Sequence, residues 1–306
     1  MSQFVKVLDR DIKIDGRLLR TARIEGEKYT FPADPEVLIR ELRASGKRID
    51  LFTFLQKLPE TTPKYSYPME LDNLAVLPVS TFENWWNNQL RSYPRNRARQ
   101  AEKRGVVFRE VPYGEELIEG ICGIYNETPF RQGKRFPHYG MTPERARAYA
   151  GTFLDRSVYI GGFFEGKMIG FIKLTTDESN TQACLVHILS MVQHKDKAPT
   201  NGLIAQAVKN CAARKVPFLV YEHFTYGNKK EDSLSHFKEV NGFQRIDLPR
   251  YYVPLTALGR FALRHRLHHR LVDRIPESWA NRLRDFRKEW YSRRFRDTSE
   301  RMICQD

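Results

Sequence analysis

The chain has 306 residues, 41% hydrophobic and 29% charged, with a formal net charge of +14 at pH 7. That composition buries one large core or two modest ones and excludes a disordered chain. A pI near 9.6 points to a polyanionic partner: nucleic acid, anionic lipid or a phosphorylated substrate. No run of about 18 apolar residues occurs; the best stretch, residues 157–174, is broken by Glu165 and Lys167 and reads as a hairpin. Lys6, Asp9, Arg10 and Asp11 stand where a signal peptide needs apolar residues, so a cytoplasmic protein is expected, with peripheral contact at the inner face of the membrane compatible with its charge. The cysteines Cys122, Cys184, Cys211 and Cys304 form no Cys-x-x-Cys pair, in keeping with a reducing compartment.

Residues 1–75 read as an appended α/β extension. Alternation around FVKVL and LLRTARIEGEKYTF predicts a hairpin, and DPEVLIRELRAS predicts a helix capped by Asp34 with Pro35 at its first position. Nothing catalytic stands out there. LDNLAVLPVS predicts a strand, and TFENWWNNQLRSYPRNRARQAEKRG a helical stretch interrupted at Pro94. From Val106 the pattern is regular: strand VVFREV, helix GEELIEGICGIYNE, the loop Pro129 to Tyr139, helix TPERARAYAGTFLDR, then strands VYIGGFFE and MIGFIKLTT.

Residues 182–243 carry the most information. QACLVHILSMVQ is an apolar strand, HKDKAPT a polar break, and NGLIAQAVKNCAARK a helix with Leu203, Ile204, Ala207 and Val208 on one face; VPFLVYEH reads as a buried parallel strand. Parallel strands joined through a helix need a right-handed crossover, and sites in such units lie outside the carboxyl ends of the strands, here Gln193 to Thr200 and Glu222 to Lys230. A helix closing on Phe237–Phe243 and strands FQRI and RYYVPL complete the unit.

The order β-α-α-β-β-β-α-β-α-β-β resembles the GNAT acyltransferase fold, an α/β (α+β mixed-sheet) architecture, over a domain of residues 76–258 with its core at 105–258. Within it the chain looks most like the Fem-type branch, the peptidoglycan-bridge aminoacyltransferases and their relatives in cell-envelope biosynthesis. The resemblance rests on element order, on Phe237-Lys238 before Asn241-Gly242-Phe243, and on RYYVPLTALGR. The glycine pair with which most GNAT enzymes wrap a coenzyme A pyrophosphate is absent.

The resemblance implies a donor site in the loop Gln193–Gly202. Thr200 or Asn201 would cap the following helix, Gly202 would permit close approach of a phosphate, and Gln193, Lys195 and Lys197 would add polar and charged groups; an ordinary capped helix start is the alternative. Aligned on Gly242 and Phe243, Lys238 falls where many GNAT enzymes place the tyrosine that protonates the leaving thiolate. It would stabilise an oxyanion, protonate a leaving group or hold a phosphate, or else be a solvated lysine on a helix whose core face is Leu234, Phe237 and Val240.

Glu222, His223 and Tyr226 end the central strand, where a base for amine attack belongs. Alternation puts Glu222 on the face of Phe218 and Val220, and His223 on that of Leu219 and Tyr221. In the GNAT layout the loop from Pro129 faces the acceptor, and its Arg131, Gln132, Arg135, His138 and Tyr139 suit a phosphate or a sugar ring; a solvated basic loop is the alternative.

Other motifs carry less. Ser233 and His236 lack a third partner for a triad. His187, mid-strand, reads as a hydrogen-bonded core residue. His265 and His269 have metal-ligand spacing, but arginines at 260, 264, 266, 270 and 274 surround them, and no metal is expected. Residues 259–306, with 13 Arg and Lys against 7 Asp and Glu, read as a tail of two basic amphipathic helices that lie on an anionic membrane or pack on the parent domain. The whole reads as an N-acyltransferase moving an acyl group from acyl-CoA, or from aminoacyl-tRNA, to an amine on a phosphorylated or lipid-linked cell-envelope acceptor. The competing reading is an inactive GNAT-like adaptor for nucleic acid or an anionic membrane surface.

Overall fold

The computed structural model describes residues 3–131, 134–226 and 233–269. In chain order the elements are β1 (Gln3–Val7), β2 (Arg10–Asp15), β3 (Thr21–Ile24), α1 (Pro35–Ala44), β4 (Leu51–Leu55), β5 (Met69–Pro78), α2 (Phe82–Asn84) and α3 (Ser92–Lys103). Then follow β6 (Val107–Glu110), α4 (Glu115–Tyr125), β7 (Phe130–Arg131), β8 (Lys134–Arg135), α5 (Pro143–Ala150), β9 (Ser157–Phe164), β10 (Lys167–Thr176) and β11 (Gln182–Ser190). The last are α6 (Pro199–Ala213), β12 (Phe218–His223), α7 (Ser233–Val240), β13 (Gln244–Pro254) and α8 (Ala257–Arg264). Eleven strands form one mixed sheet in the order β1-β2-β3-β4-β13-β5-β12-β11-β10-β9-β6, with β7 and β8 as a separate small hairpin.

Alternation along β9 and β10 sorts the two layers of the core. Val158, Ile160, Ile172 and Leu174 face a cluster with Leu203, Ile204, Ala207 and Val208 of α6. Tyr159, Phe163 and Phe171 face the opposite cluster, with Leu117, Ile118 and Ile121 of α4 and Ala146 of α5. The predicted face of α6 is thus the buried one.

The first 75 residues extend the same sheet. β1 and β2 form the first hairpin, β3 pairs with β2, and β3 lies parallel to β4, so the residues read as one hairpin supply three strands. Asp34 caps α1 as expected, accepting from the amide of Glu36 at 2.8 Å. β4 carries no alternation because all five of its residues are buried. In the region of α3 the predicted interruption at Pro94 is displaced: a π-helical turn, Trp85–Gln89, ends at Leu90, and α3 begins at Ser92. Pro94 sits in the first turn of α3, where backbone amides have no intrahelical acceptor and a proline costs nothing.

FQRI and RYYVPL are one strand, β13, inserted between β4 and β5. α8 ends at Arg264, so Leu267 lies beyond the helix expected to include it; Leu271, Trp279 and Trp290 lie outside the described residues. No helix among the described residues is long and apolar enough to cross a membrane.

Candidate active site

The two central strands are parallel neighbours, as expected, but they pair at only three positions, Gln182 with Phe218, Ala183 with Leu219 and Cys184 with Val220. Beyond these, β11 stays with β10 across a one-residue bulge at Val186, while β12 follows β5 across its own bulge between Val220 and His223. A bulge bends its strand, and β11 and β12 share no ladder beyond Cys184 and Val220. Past Cys184 and Val220 the sheet therefore opens at the carboxyl ends of both strands.

Glu222 lies in the β12 bulge with φ 48°, a left-handed conformation that costs a β-carbon-bearing residue about 1–2 kcal/mol. The bulge aims its carboxylate toward the side of Phe218 and Val220, as alternation predicts, where Lys28 donates to it. Around this ion pair a cleft of about 280 Å³ is lined by Glu25, Tyr29, Cys184 and Val186. Lys28 belongs to the extension in which nothing catalytic was expected, 194 residues from its partner. No pattern in EGEKYT marks it.

His223 follows, with Nδ1 3.3 Å from the carbonyl of Asn73 and its ring centroid 5.8 Å from that of Tyr226. Burial, aided by Lys28, lowers the pKa of His223, so the ring is neutral and able to accept a proton. Lys238 is fully buried, which overturns the solvated reading. Its ammonium donates to the carbonyl of His223 and sits 4.8 Å from the ring centroids of both Tyr221 and Tyr226. The buried residues of α7 are Ser235 and Lys238, whereas Leu234, Phe237 and Val240 are half-buried. Glu222, His223, Tyr226 and Lys238 are thus gathered around the end of β12.

On the other side of the opening a cleft of about 560 Å³ runs between β11, the start of α6, α7 and α3, lined by Tyr93, Arg97, Ser190, Thr200, Phe237 and Val240 among others. The donor loop beside it differs from expectation in three respects. Neither Thr200 nor Asn201 caps α6: the cap is Ala198, left-handed at φ 52°, and the Thr200 hydroxyl bonds that of Ser190 at 2.7 Å. Gly202 makes its close approach to Phe108, since a β-carbon there would lie 2.1 Å from the ring. The amides of Val192 and Gln193 donate to the Glu127 carboxylate at 2.8 and 2.7 Å, and those of Lys195, Lys197, Ala198 and Asn201 donate to carbonyls within the loop and the first turn of α6. Arg97 clips the loop by donating to the carbonyl of Lys195 at 2.9 Å, and Lys197 lies over the ring of Phe164.

The acceptor loop divides. Arg131 turns inward, donating to the carbonyls of Ser190 and Ile124, each at 2.8 Å, and stacking on Phe136. It ties the loop to β11 and also lines the larger cleft. Arg135 and Tyr139 are exposed, and Gln132 lies outside the described residues. His138 joins a run of rings: it lies 5.5 Å from Phe136 and 5.8 Å from Tyr149, and Tyr149 stacks on His187 at 4.2 Å. His187 is half-buried, and burial, with Lys173 nearby, lowers its pKa to about 4. Lys173 is itself fully buried, donating to the carbonyl of Ala150 at 2.8 Å and to both oxygens of Thr152.

A mixed sheet opened between two central parallel strands is a GNAT-type fold. Among solved structures the chain is similar to L-PGS from Bacillus licheniformis, with a TM-score of 0.58 and 13% identity over 86% of this chain and 87% of that one. It is also similar to the C-terminal domain (DUF2156) of a protein named as a lysylphosphatidylglycerol synthetase from Agrobacterium fabrum, at TM-score 0.54 and 13% identity over 86% and 87%. FemX matches at TM-score 0.56 and 9% identity over 81% and 87%. At these identities the likeness is one of fold. No protein-family model and no curated protein matches the chain.

Proposed function

We propose that the protein is an acyl- or aminoacyltransferase that carries an acyl group from an activated donor to an amine. The observation that carries this reading is the opening beyond Cys184 and Val220, flanked on one side by the larger cleft and on the other by the Lys28–Glu222 pair. The donor carbonyl would lie in the opening. The amine attacks it, a C–N bond forms, and the C–O or C–S bond to the carrier breaks. Glu222 or neutral His223 takes the proton the nitrogen loses, a task for a base at hydrogen-bond distance. Lys238, buried below the strand end, positions the His223 carbonyl and contributes positive potential where negative charge develops.

The donor is acyl-CoA or aminoacyl-tRNA. With six loop amides already engaged, a diphosphate would depend on side-chain cations, which favours a donor held by its acyl end and its phosphodiester backbone. The names of the two synthetase structures are in keeping with an aminoacyl donor and a phosphate-bearing lipid acceptor. Transfer assays with labelled acyl-CoA and aminoacyl-tRNA, against amine acceptors with and without a phosphate, test the reading. Turnover with either donor, reduced about 10²-fold or more by Glu222→Gln, is the expected result. No transfer and no thermal stabilisation by either donor would leave the adaptor reading in its place.

A further inference from the structure

Away from the opening, three side chains from two distant parts of the chain meet on the sheet. Glu70 lies near the start of β5, and the turn after α8 brings His268 and His269 down onto it. Their Nε2 atoms lie 3.1 and 2.9 Å from one and the same Glu70 oxygen, and one ligand atom from each of the three residues can be chosen with all within 4.8 Å of one another. We propose that Glu70, His268 and His269 form a binding site for a divalent transition metal of the zinc class, one that fastens the turn after α8 to the sheet.

The spacing fits the chemistry. Ligands about 2.0–2.1 Å from a tetrahedral zinc ion stand roughly 3.3 Å from each other, and two imidazoles with one carboxylate are a donor set that borderline cations prefer. Consecutive histidines do not converge in a helix, where neighbours point about 100° apart. Here Arg266, left-handed at φ 54°, ends the helical path, and the two rings come within 4.2 Å of each other. Leu267 then donates back to the carbonyl of Ala262 at 2.7 Å, which fixes the turn. With the amide of Arg266 donating to the carbonyl of Leu263, this is the common left-handed close of a helix, and it fixes the direction in which the two histidines leave α8.

Charge on this face also favours a cation. Arg250, the cross-strand neighbour of Glu70, is held by Glu27 at 2.8 and 2.9 Å and by Asp72 at 2.7 Å. With Glu70, three carboxylates therefore face one guanidinium. The arginines around His265 and His269 also repel a cation held by His268 and His269, and the Glu70 carboxylate is the group that offsets them. The site is a modest one. The ring of His268 packs on Tyr252 at 4.7 Å, but its Nδ1 is buried without a hydrogen-bond partner, and a missing outer-shell bond typically costs about 10- to 100-fold in affinity. Two imidazoles and a carboxylate leave a fourth position for water.

The test is metal titration of the full chain after chelator dialysis, with a readout independent of transfer activity. Zn²⁺ should bind at about one equivalent with micromolar affinity, Co²⁺ at the site should show visible d–d absorption, and the ε1 proton resonances of His268 and His269 should shift. Glu70→Gln and His269→Gln should each weaken binding by about 10-fold or more while the metal-free proteins melt where the metal-free parent does. His265→Gln and Cys304→Ser should leave binding unchanged. Should Glu70→Gln fail to fold, His269→Gln, at a side chain 31% exposed, and the imidazole shifts of the parent protein decide alone. Absence of stoichiometric binding, or binding that survives His269→Gln, overturns the proposal.

Discussion

Glu127 and Arg131, one helical turn apart in number but beyond the end of α4, are joined at 3.2 Å, and each holds a different part of β11 and its following loop. Glu127 takes the amides of Val192 and Gln193, and Arg131 the carbonyl of Ser190. Both side chains are largely buried, at 8% and 14% exposed. Glu127→Ala should therefore cost about 3 kcal/mol in urea denaturation, the scale on which a buried charge loses its partner. A loss under 1 kcal/mol would show that the pair does not bear on stability.

Glu222→Gln keeps an oxygen for Lys28 and removes the base. Turnover should fall by about 10²-fold or more, with the melting temperature within a few degrees of the parent, because the side chain is 43% exposed. Stopped-time transfer assays beside a thermal melt separate the two effects; equal activity would move the base to His223.

Lys238→Met preserves the stem that fills the space under Tyr221 and Tyr226 but leaves the His223 carbonyl without its donor, at a cost of about 1–3 kcal/mol. The expected outcome is a folded protein with a modestly lower melting temperature and turnover reduced about 10²-fold, more than the stability loss explains. A variant that unfolds with no selective loss of turnover would make Lys238 structural.

Gly202→Ala places a methyl group against the Phe108 ring, an overpacking worth about 1–3 kcal/mol. Adding Phe108→Leu should recover most of that loss in denaturant melts. If the glycine served phosphate instead, the single change would weaken donor binding with stability intact.

His187 predicts a pH dependence. Its folded pKa of about 4 lies below the ordinary 6.5, so the unfolded chain binds a proton in that window when the folded chain does not. Stability should fall as pH drops from 6.5 toward 4, by about 1–3 kcal/mol once the partial burial of the ring is discounted. The pKa of His223, also lowered by burial, acts in the same direction. Urea melts of the parent and of His187→Gln across this range should converge as pH falls; parallel curves would remove His187 as the cause.

Periodicity made α6 and the parallel pair β11 and β12 legible, because alternation and helical faces are local properties of the chain. β4 was not, since LFTFL is buried on both faces and shows no alternation. The donor loop illustrates a different limit: a glycine before a helix reads the same whether a phosphate or, as here, the ring of Phe108 occupies the missing side chain's place. Lys28 and the burial of Lys238 were illegible because their partners come from other elements, and spacing in one sequence holds no record of such meetings.

The position of β13 bears on how the protein is made. Arg250 pairs with Leu55, 195 positions earlier, and β13 fills the gap between β4 and β5. At a synthesis rate of about 5–20 residues per second, those two strands wait about 10–40 s on the ribosome with their facing edges unpaired. Phe52, Phe54, Leu74 and Leu77, all buried in the finished protein, lack their final cover during that interval. A chain that lacked Gln244–Pro254 would keep both of those sheet edges open, each a template for pairing with another chain.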